Sequence, residues 1–208
     1  TKDREYKAAD KEYETIKEMA EGKNNKAVID FLKLKKENPD LVAWIKIPGT
    51  RIDYPVVQGK DNEEYLHKTF TGVRNNSGTI FLDCQCAGDF SSDNNILYGH
   101  HMRNGSMFAD LLKLRDADFL KKHNIIYLYL PDKTLHLKVI AGYAAKAEKI
   151  PVSFENEADK LEYFAKIQSR SEVSGEDSIS SERVYTFVTC SYEANNYRTY
   201  IHAVEGKE

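Results

Sequence analysis

Long apolar runs are missing from this sequence. No segment approaches the roughly 18 consecutive apolar residues of a membrane-spanning helix, and no secretion-signal pattern opens the chain. A basic excess is missing as well: the formal charge is -3, which leaves no electrostatic footprint for nucleic acid. Cysteine is scarce, three in 208 residues, too few and too oddly spaced for a disulfide framework. Cys84 and Cys86 stand two apart in "FLDCQCAGD". On a strand they would share a face, where a bridge between them is strained. No second cysteine/histidine pair stands at zinc spacing, which argues against a structural metal site. Cysteine usage leaves the compartment open, secreted or cytosolic. Internal repeats are absent.

What is there describes a globular chain. Apolar residues make up 41% and charged residues 30%, ordinary for a protein that buries a sizeable core, and the length fits one domain with a helical appendage. Residues 1–37 are dense in Lys and Glu, with Ile16, Met19, Val28, Phe31, Leu32 and Leu34 at helical intervals. Two helices broken near "EGKNNK" are predicted there. The division is an N-terminal helical segment, 1–37, and a main domain, 38–208. The charged opening suits a chain trimmed of an N-terminal anchor and an intact cytosolic start alike.

From "NPDLVAWIKIPGTRIDYPVVQG" onward, short β-branched runs alternate with Pro, Gly and Asp. Strands are predicted at 42–47, 52–57, 79–83, 95–98, 125–130, 134–143, 184–190 and 198–204. Short helices fit "NEEYLHKTF", "SMFADLLKL" and "DADFLKKH". A longer one fits "NEADKLEYFAKIQSR", with Leu161, Phe164 and Ile167 on one face. The fold class expected is mainly β: a closed or nearly closed barrel of about eight strands, with N-terminal helices and a helix inserted before the last strand pair.

Chemistry gathers at strand ends. In "VYTFVTCSYEANNYRTYIHAV" the positions Val184, Thr186, Val188 and Cys190 share one strand face, and a polar turn returns the chain antiparallel, bringing Arg198 beside Cys190. A guanidinium there favours thiolate and can steady an oxyanion. Taken alone, Cys190 reads as a packed small apolar residue and Arg198 as a solvated cation. In "NNILYGHHM" a strand ends at Gly99 and two histidines follow, the side chains best suited to proton exchange near neutrality. His67, His123, His136 and His202 fall in ordinary helix or strand patterns and read as structural. A nucleophile, an acid/base and an anion stabiliser at strand ends are the parts of acyl transfer.

These residues resemble the sortases, cysteine transpeptidases of bacterial surfaces. "TFVTC" is similar to the family's T-L-x-T-C signature, with Phe187 at the leucine position; "LYGHHM" and "YRTYIHA" match the histidine- and arginine-bearing stretches. The likeness runs from about residue 28 to 204 and is nearest to class B, through "NPDLVAWIKIPGTRIDYPVVQ" and the "SGTIFLD" to "SDNNILYGHHM" block. The resemblance implies Cys190 as nucleophile, His100 rather than His101 as acid/base, and Arg198 as oxyanion and substrate stabiliser. Thr186, Thr189 and Ser191 flank the cysteine and are candidates to line the substrate groove. It further implies a sortase-type β-barrel, no obligatory cofactor and no metal. The implied location is the extracellular face of the membrane, with the tether in an N-terminal segment absent from this chain. The implied substrate is a C-terminal sorting signal of surface proteins, of Asn-Pro-x-Thr-Asn/Gly type, cut after Thr and passed to a cell-wall peptide amine. The alternative is a sortase of another class, with Leu-Pro-x-Thr-Gly-like signals or pilin polymerisation, although the Asp-Pro-aromatic lid of pilin enzymes is not found in residues 1–40. A papain-type hydrolase would want its nucleophile early in the chain at a helix N-terminus. A non-catalytic binding module would leave Cys190 inert towards alkylating reagents.

Overall fold

Eight short runs rich in β-branched and aromatic residues pair edge to edge in the computed structural model, which describes residues 2–21, 28–175, 183–190 and 195–206. The strands are β1 (Leu41–Lys46), β2 (Asp53–Val57), β3 (Ile80–Leu82), β4 (Asn94–Tyr98), β5 (Ile125–Tyr129), β6 (Thr134–Lys146), β7 (Val184–Cys190) and β8 (Tyr197–Glu205). They close into a barrel in the order β1-β2-β3-β4-β7-β8-β6-β5. Closure leaves no unpaired sheet edge. The β2–β3 and β4–β7 pairs are parallel and the other six are antiparallel. The mainly β barrel expected from alternation is the fold observed.

Inward positions supply the core. Trp44, Phe108, Phe187 and Ile201 are at most 1% exposed, each side chain of this size stabilising the fold by roughly 1.5–3 kcal/mol. Helix α1 (Lys2–Glu21) buries Ala9, Tyr13, Ile16 and Ala20 at helical spacing, and Tyr13 and Ile16 join the same core as the barrel residues. α2 (Phe31–Glu37) starts under the Asp30 cap, whose side chain accepts from the Lys33 N–H at 3.0 Å. α3 (Ala117–Lys122) and α4 (Glu157–Arg170) open in the same way under Asp116 and Asn156. None of the described helices is long and apolar enough to cross a membrane.

Four local expectations are corrected. "NEEYLHKTF" is not a helix but a run of turns. Its carbonyls are taken from outside: Tyr65 accepts from the Thr79 N–H (3.0 Å), His67 from the Asn75 N–H (2.9 Å) and Lys68 from the Thr79 hydroxyl (2.8 Å). These bonds to residues 75 and 79 hold the backbone in turns in place of an i→i+4 ladder. In "SMFADLLKL" a 3-10 helix begins only at Ala109, because Met107 sits at φ +57, outside helical space. Leu161 is 53% exposed, standing off the buried arc of Phe164 and Ile167, and half-buried Tyr163 packs in its stead. Val28 and Leu32, read as part of an apolar helical face, are 69% and 81% exposed, while Leu34 carries the contact of α2 with the core.

Candidate active site

Parallel pairing decides where the chemistry meets. β4 runs alongside β7 in the same direction, with Tyr98 opposite Val188, so both strands end at one rim. There Gly99 and His100 leave β4, and Cys190 ends β7. The antiparallel β8 begins at that rim, and its register sets Arg198 opposite Cys190. The Gly99 N–H donates to the Val188 carbonyl (3.2 Å), carrying the β4–β7 ladder up to His100. Gly99 is needed for space rather than for its φ: a Cβ there would lie 2.4 Å from Ile80 Cδ1 and 2.7 Å from the Phe108 ring.

The rim opens into a cleft of about 460 Å³, bordered by Leu66, Tyr98, His100, Val188, Arg198 and Tyr200 among others. His100 is half-buried. Its Nε2 lies 2.6 Å from the Leu66 carbonyl, an atom that only accepts, so Nε2 carries a proton and Nδ1 is the nitrogen available for exchange. The ring stacks on His67, with centroids 5.6 Å apart and planes 22° from parallel. Burial pushes the His100 pKa below the ordinary imidazole value; the Leu66 bond opposes this, while His67 and Arg198 add to it. His101, the other histidine of the motif, pairs with Met107 across the next hairpin and does not border the cleft. Arg198 borders the cleft and donates to the Tyr197 carbonyl at 3.1 Å.

The three groove candidates have different positions. Thr189 borders the cleft; it is 2% exposed, and its hydroxyl has no hydrogen-bond partner among the described residues. Thr186 lies away from the cleft, at 0% exposure. Its hydroxyl donates to Asn94 Oδ1 (2.8 Å), so its oxygen accepts from His202 Nδ1 (3.0 Å), and His202 Nε2 accepts from the Tyr143 hydroxyl (2.9 Å). Asn94 in turn donates to the Pro151 carbonyl (3.0 Å), tying down the segment whose Ala147, Glu148 and Ile150 wall the cleft. Thr186 is therefore a buried support of that wall. Ser191 lies outside the described residues.

That network needs His202 neutral, and burial pushes its pKa down to about 3. A histidine held neutral in the folded state stabilises above the unfolded value of about 6.5 and loses that contribution progressively as pH falls towards 3. Denaturant unfolding of wild type is expected to lose about 2 kcal/mol from this group between pH 7 and pH 5, above the carboxylate range. His100, also lowered, adds a slope of the same sign. His202→Gln should start less stable and show a flatter pH dependence; equal slopes in the two proteins would remove His202 from the account.

Several cleft residues escaped the sequence reading. Asn62 donates to Asp83 Oδ2 (3.0 Å) and accepts from the Cys84 N–H (2.8 Å), and Tyr98 donates to the same Asp83 oxygen at 3.1 Å. Tyr98 was within reach of sequence, standing beside Gly99 in the histidine motif. Asn62 and Leu66 were not, nor was His67, which stacks on His100 without lining the cleft, because their stretch has helical spacing. Glu148, on the facing wall, is held by Arg170 (2.6 Å) and Lys166 (3.3 Å) from α4. Cys84 is exposed. Cys86 is buried, its thiol pushed up to about 11 by burial and placed 3.4 Å from the Asn94 carbonyl, as for a small apolar residue. Among the described residues, no group of three or more His, Cys, Asp or Glu could hold a metal ion.

Comparison with known proteins bears on the whole chain. The family model of the sortase domain matches residues 45–205. Sortase B of Listeria monocytogenes is 34% identical over 195 residues, which is 92% of this chain and 79% of that protein. A crystal structure of Clostridium perfringens sortase B superposes with a TM-score of 0.79 at 34% identity, covering 84% of this chain and 98% of that one. A Staphylococcus aureus sortase B–substrate complex superposes with a TM-score of 0.88 at 30% identity, over 98% of this chain and 99% of that one. Sequence and architecture agree across nearly the full length, and on that ground the chain belongs to the sortase family, as a cysteine transpeptidase of class B.

Proposed function

We propose that this sortase cleaves a sorting signal of Asn-Pro-x-Thr-Asn/Gly type after Thr and transfers the acyl group to an amine of a cell-wall peptide. It would work at the outer face of the membrane, tethered by a segment outside this chain, and so anchor surface proteins. The observation that carries the assignment of roles is the register, which sets Arg198 opposite Cys190 and ends β7 at the rim where β4 delivers His100. The similar S. aureus enzyme in complex with substrate supports a peptide occupant for the cleft.

In this reading the Cys190 thiolate attacks the threonine carbonyl carbon, and the developing oxyanion is met by the Arg198 guanidinium. Collapse breaks the C–N bond, and the leaving amine takes the proton of imidazolium His100. The acceptor amine then attacks the thioacyl carbon, gives its proton to neutral His100 and restores the thiolate. Water competes at this second step. The lowered His100 pKa makes the imidazolium a minority species at neutral pH, so only a fraction of the enzyme holds the reactive pair of ions at one time.

The test is cleavage of fluorogenic Asn-Pro-x-Thr-Asn and Leu-Pro-x-Thr-Gly peptides, with and without an added amine. Cleavage of the first, diverted to a ligated product by amine, is expected. Cleavage of the second alone would keep the chemistry and reject the substrate. Cleavage of neither, with Cys190 still open to alkylation, would reject both signals.

A further inference from the structure

Helix α1 borders none of the cleft, yet its buried tyrosine is tied to the segment that holds His100. The Tyr13 hydroxyl donates to the Gly78 carbonyl at 2.5 Å and stands 3.0 Å from Thr79 Oγ1. Gly78 sits at φ +59, and a Cβ added there would lie 2.5 Å from the Tyr65 carbonyl oxygen and 2.6 Å from that of Leu66. The bare α-carbon of Gly78 thus backs the same Leu66 carbonyl that accepts from His100 Nε2. Neighbouring bonds stiffen this arrangement: the Thr79 N–H donates to the Tyr65 carbonyl and the Thr79 hydroxyl to that of Lys68.

A second route leaves the other side of the same ring. Tyr13 meets Tyr54 edge-on, with centroids 5.4 Å apart and planes at 85°. The Tyr54 hydroxyl accepts from the Met107 N–H (3.0 Å), and the next amide, that of Phe108, donates to the His100 carbonyl (2.8 Å). Elsewhere on α1, Glu12 accepts from the Thr69 hydroxyl and the Thr71 N–H (both 3.1 Å), and Asp10 from Asn104 (3.1 Å). One helix therefore fastens both segments that meet His100.

We infer that α1 is a positioning element of the active site, with Tyr13 fixing, through Gly78, the carbonyl that orients the His100 imidazole. The inference rests on the reading of His100 as acid/base. A carbonyl held at 2.6 Å sets both the tautomer and the plane of the ring. If it drifts, Nε2 loses its partner, the Nδ1–H tautomer is populated, and Nδ1 is no longer held as the bare nitrogen that takes up and gives the proton.

Tyr13→Phe in the full chain tests this, because the ring stays packed on Tyr54 and only the hydroxyl is lost. Peptide cleavage is expected to show kcat down about tenfold, the kinetic equivalent of one good hydrogen bond, with KM unchanged. In nitrogen-15 NMR of the histidine rings, the protonated Nε2 signal of His100 should give way to a mixture of tautomers. The His100 titration should move lower, since the Leu66 bond raises its pKa and the neighbours that lower it, His67 and Arg198, are untouched. Unchanged kcat with an unchanged His100 spectrum overturns the inference. So does a rise in KM at constant kcat, which would mean that the tie shapes the cleft. The spectrum also separates this inference from the role on which it rests. If His100→Ala keeps full turnover while Tyr13→Phe still alters the ring, the brace stands and the acid/base role falls.

Discussion

Cys190→Ala is expected to abolish peptide cleavage, by on the order of 10⁵-fold or more, beneath the floor of a fluorogenic assay. The size follows from the chemistry. A transpeptidase that passes its acyl group through a thioester has no second route once the sulfur is gone, and the acid/base and anion stabiliser act as a unit with it. Mass spectrometry gives the direct check: wild type incubated with peptide should gain the mass of the acyl fragment, and the variant should gain none. Retained turnover would move the nucleophile elsewhere. The exposed thiol of Cys84 would then be the one to test, since that of Cys86 is buried and pushed up in pKa.

Arg198→Ala is expected to lower kcat by roughly 10²- to 10³-fold, the usual cost of removing one donor aimed at an oxyanion. Arg198→Lys should recover only part of the loss, because an ammonium restores the charge and not the planar fork. The pH profile separates the two contributions. Arg198 is one of the groups holding the His100 pKa down, so removing its charge should move the His100 limb of the profile to higher pH, and lysine should hold that limb near its wild-type position. Full activity in Arg198→Ala would sink the oxyanion role. A lowered kcat with no movement of the limb would confine the guanidinium to the substrate and detach it from the imidazole.

The sequence carried some of this site openly. Cys190 and Arg198 lie eight residues apart across a turn, and alternation on both flanks predicts the antiparallel pair that sets them opposite each other. Gly99 before His100 was legible as a close backbone approach, and the crowding by Ile80 and Phe108 gives the reason. Thr186 was misread as a groove residue, because strand position specifies a face of the sheet and not what covers that face. Here Asn94 and His202 cover it. The stretch 62–70 was misread because apolar spacing cannot announce that the carbonyls of Tyr65, Leu66, His67 and Lys68 are claimed from elsewhere.

By itself, then, the sequence determined the eight strands and the chemical kinds of the candidate residues, since period, turn chemistry and side-chain type are local properties. Tertiary structure alone decided three things. The parallel pairing of β4 with β7 joins segments some 90 residues apart and brings their ends to one rim. The tautomer of His100 follows from a backbone carbonyl, which every residue possesses and no motif can mark. The part played by α1 follows from a glycine wedged between Tyr13 and Leu66. All three are choices of hydrogen-bond partner between distant parts of the chain, and those partners are selected by the packing of the whole chain.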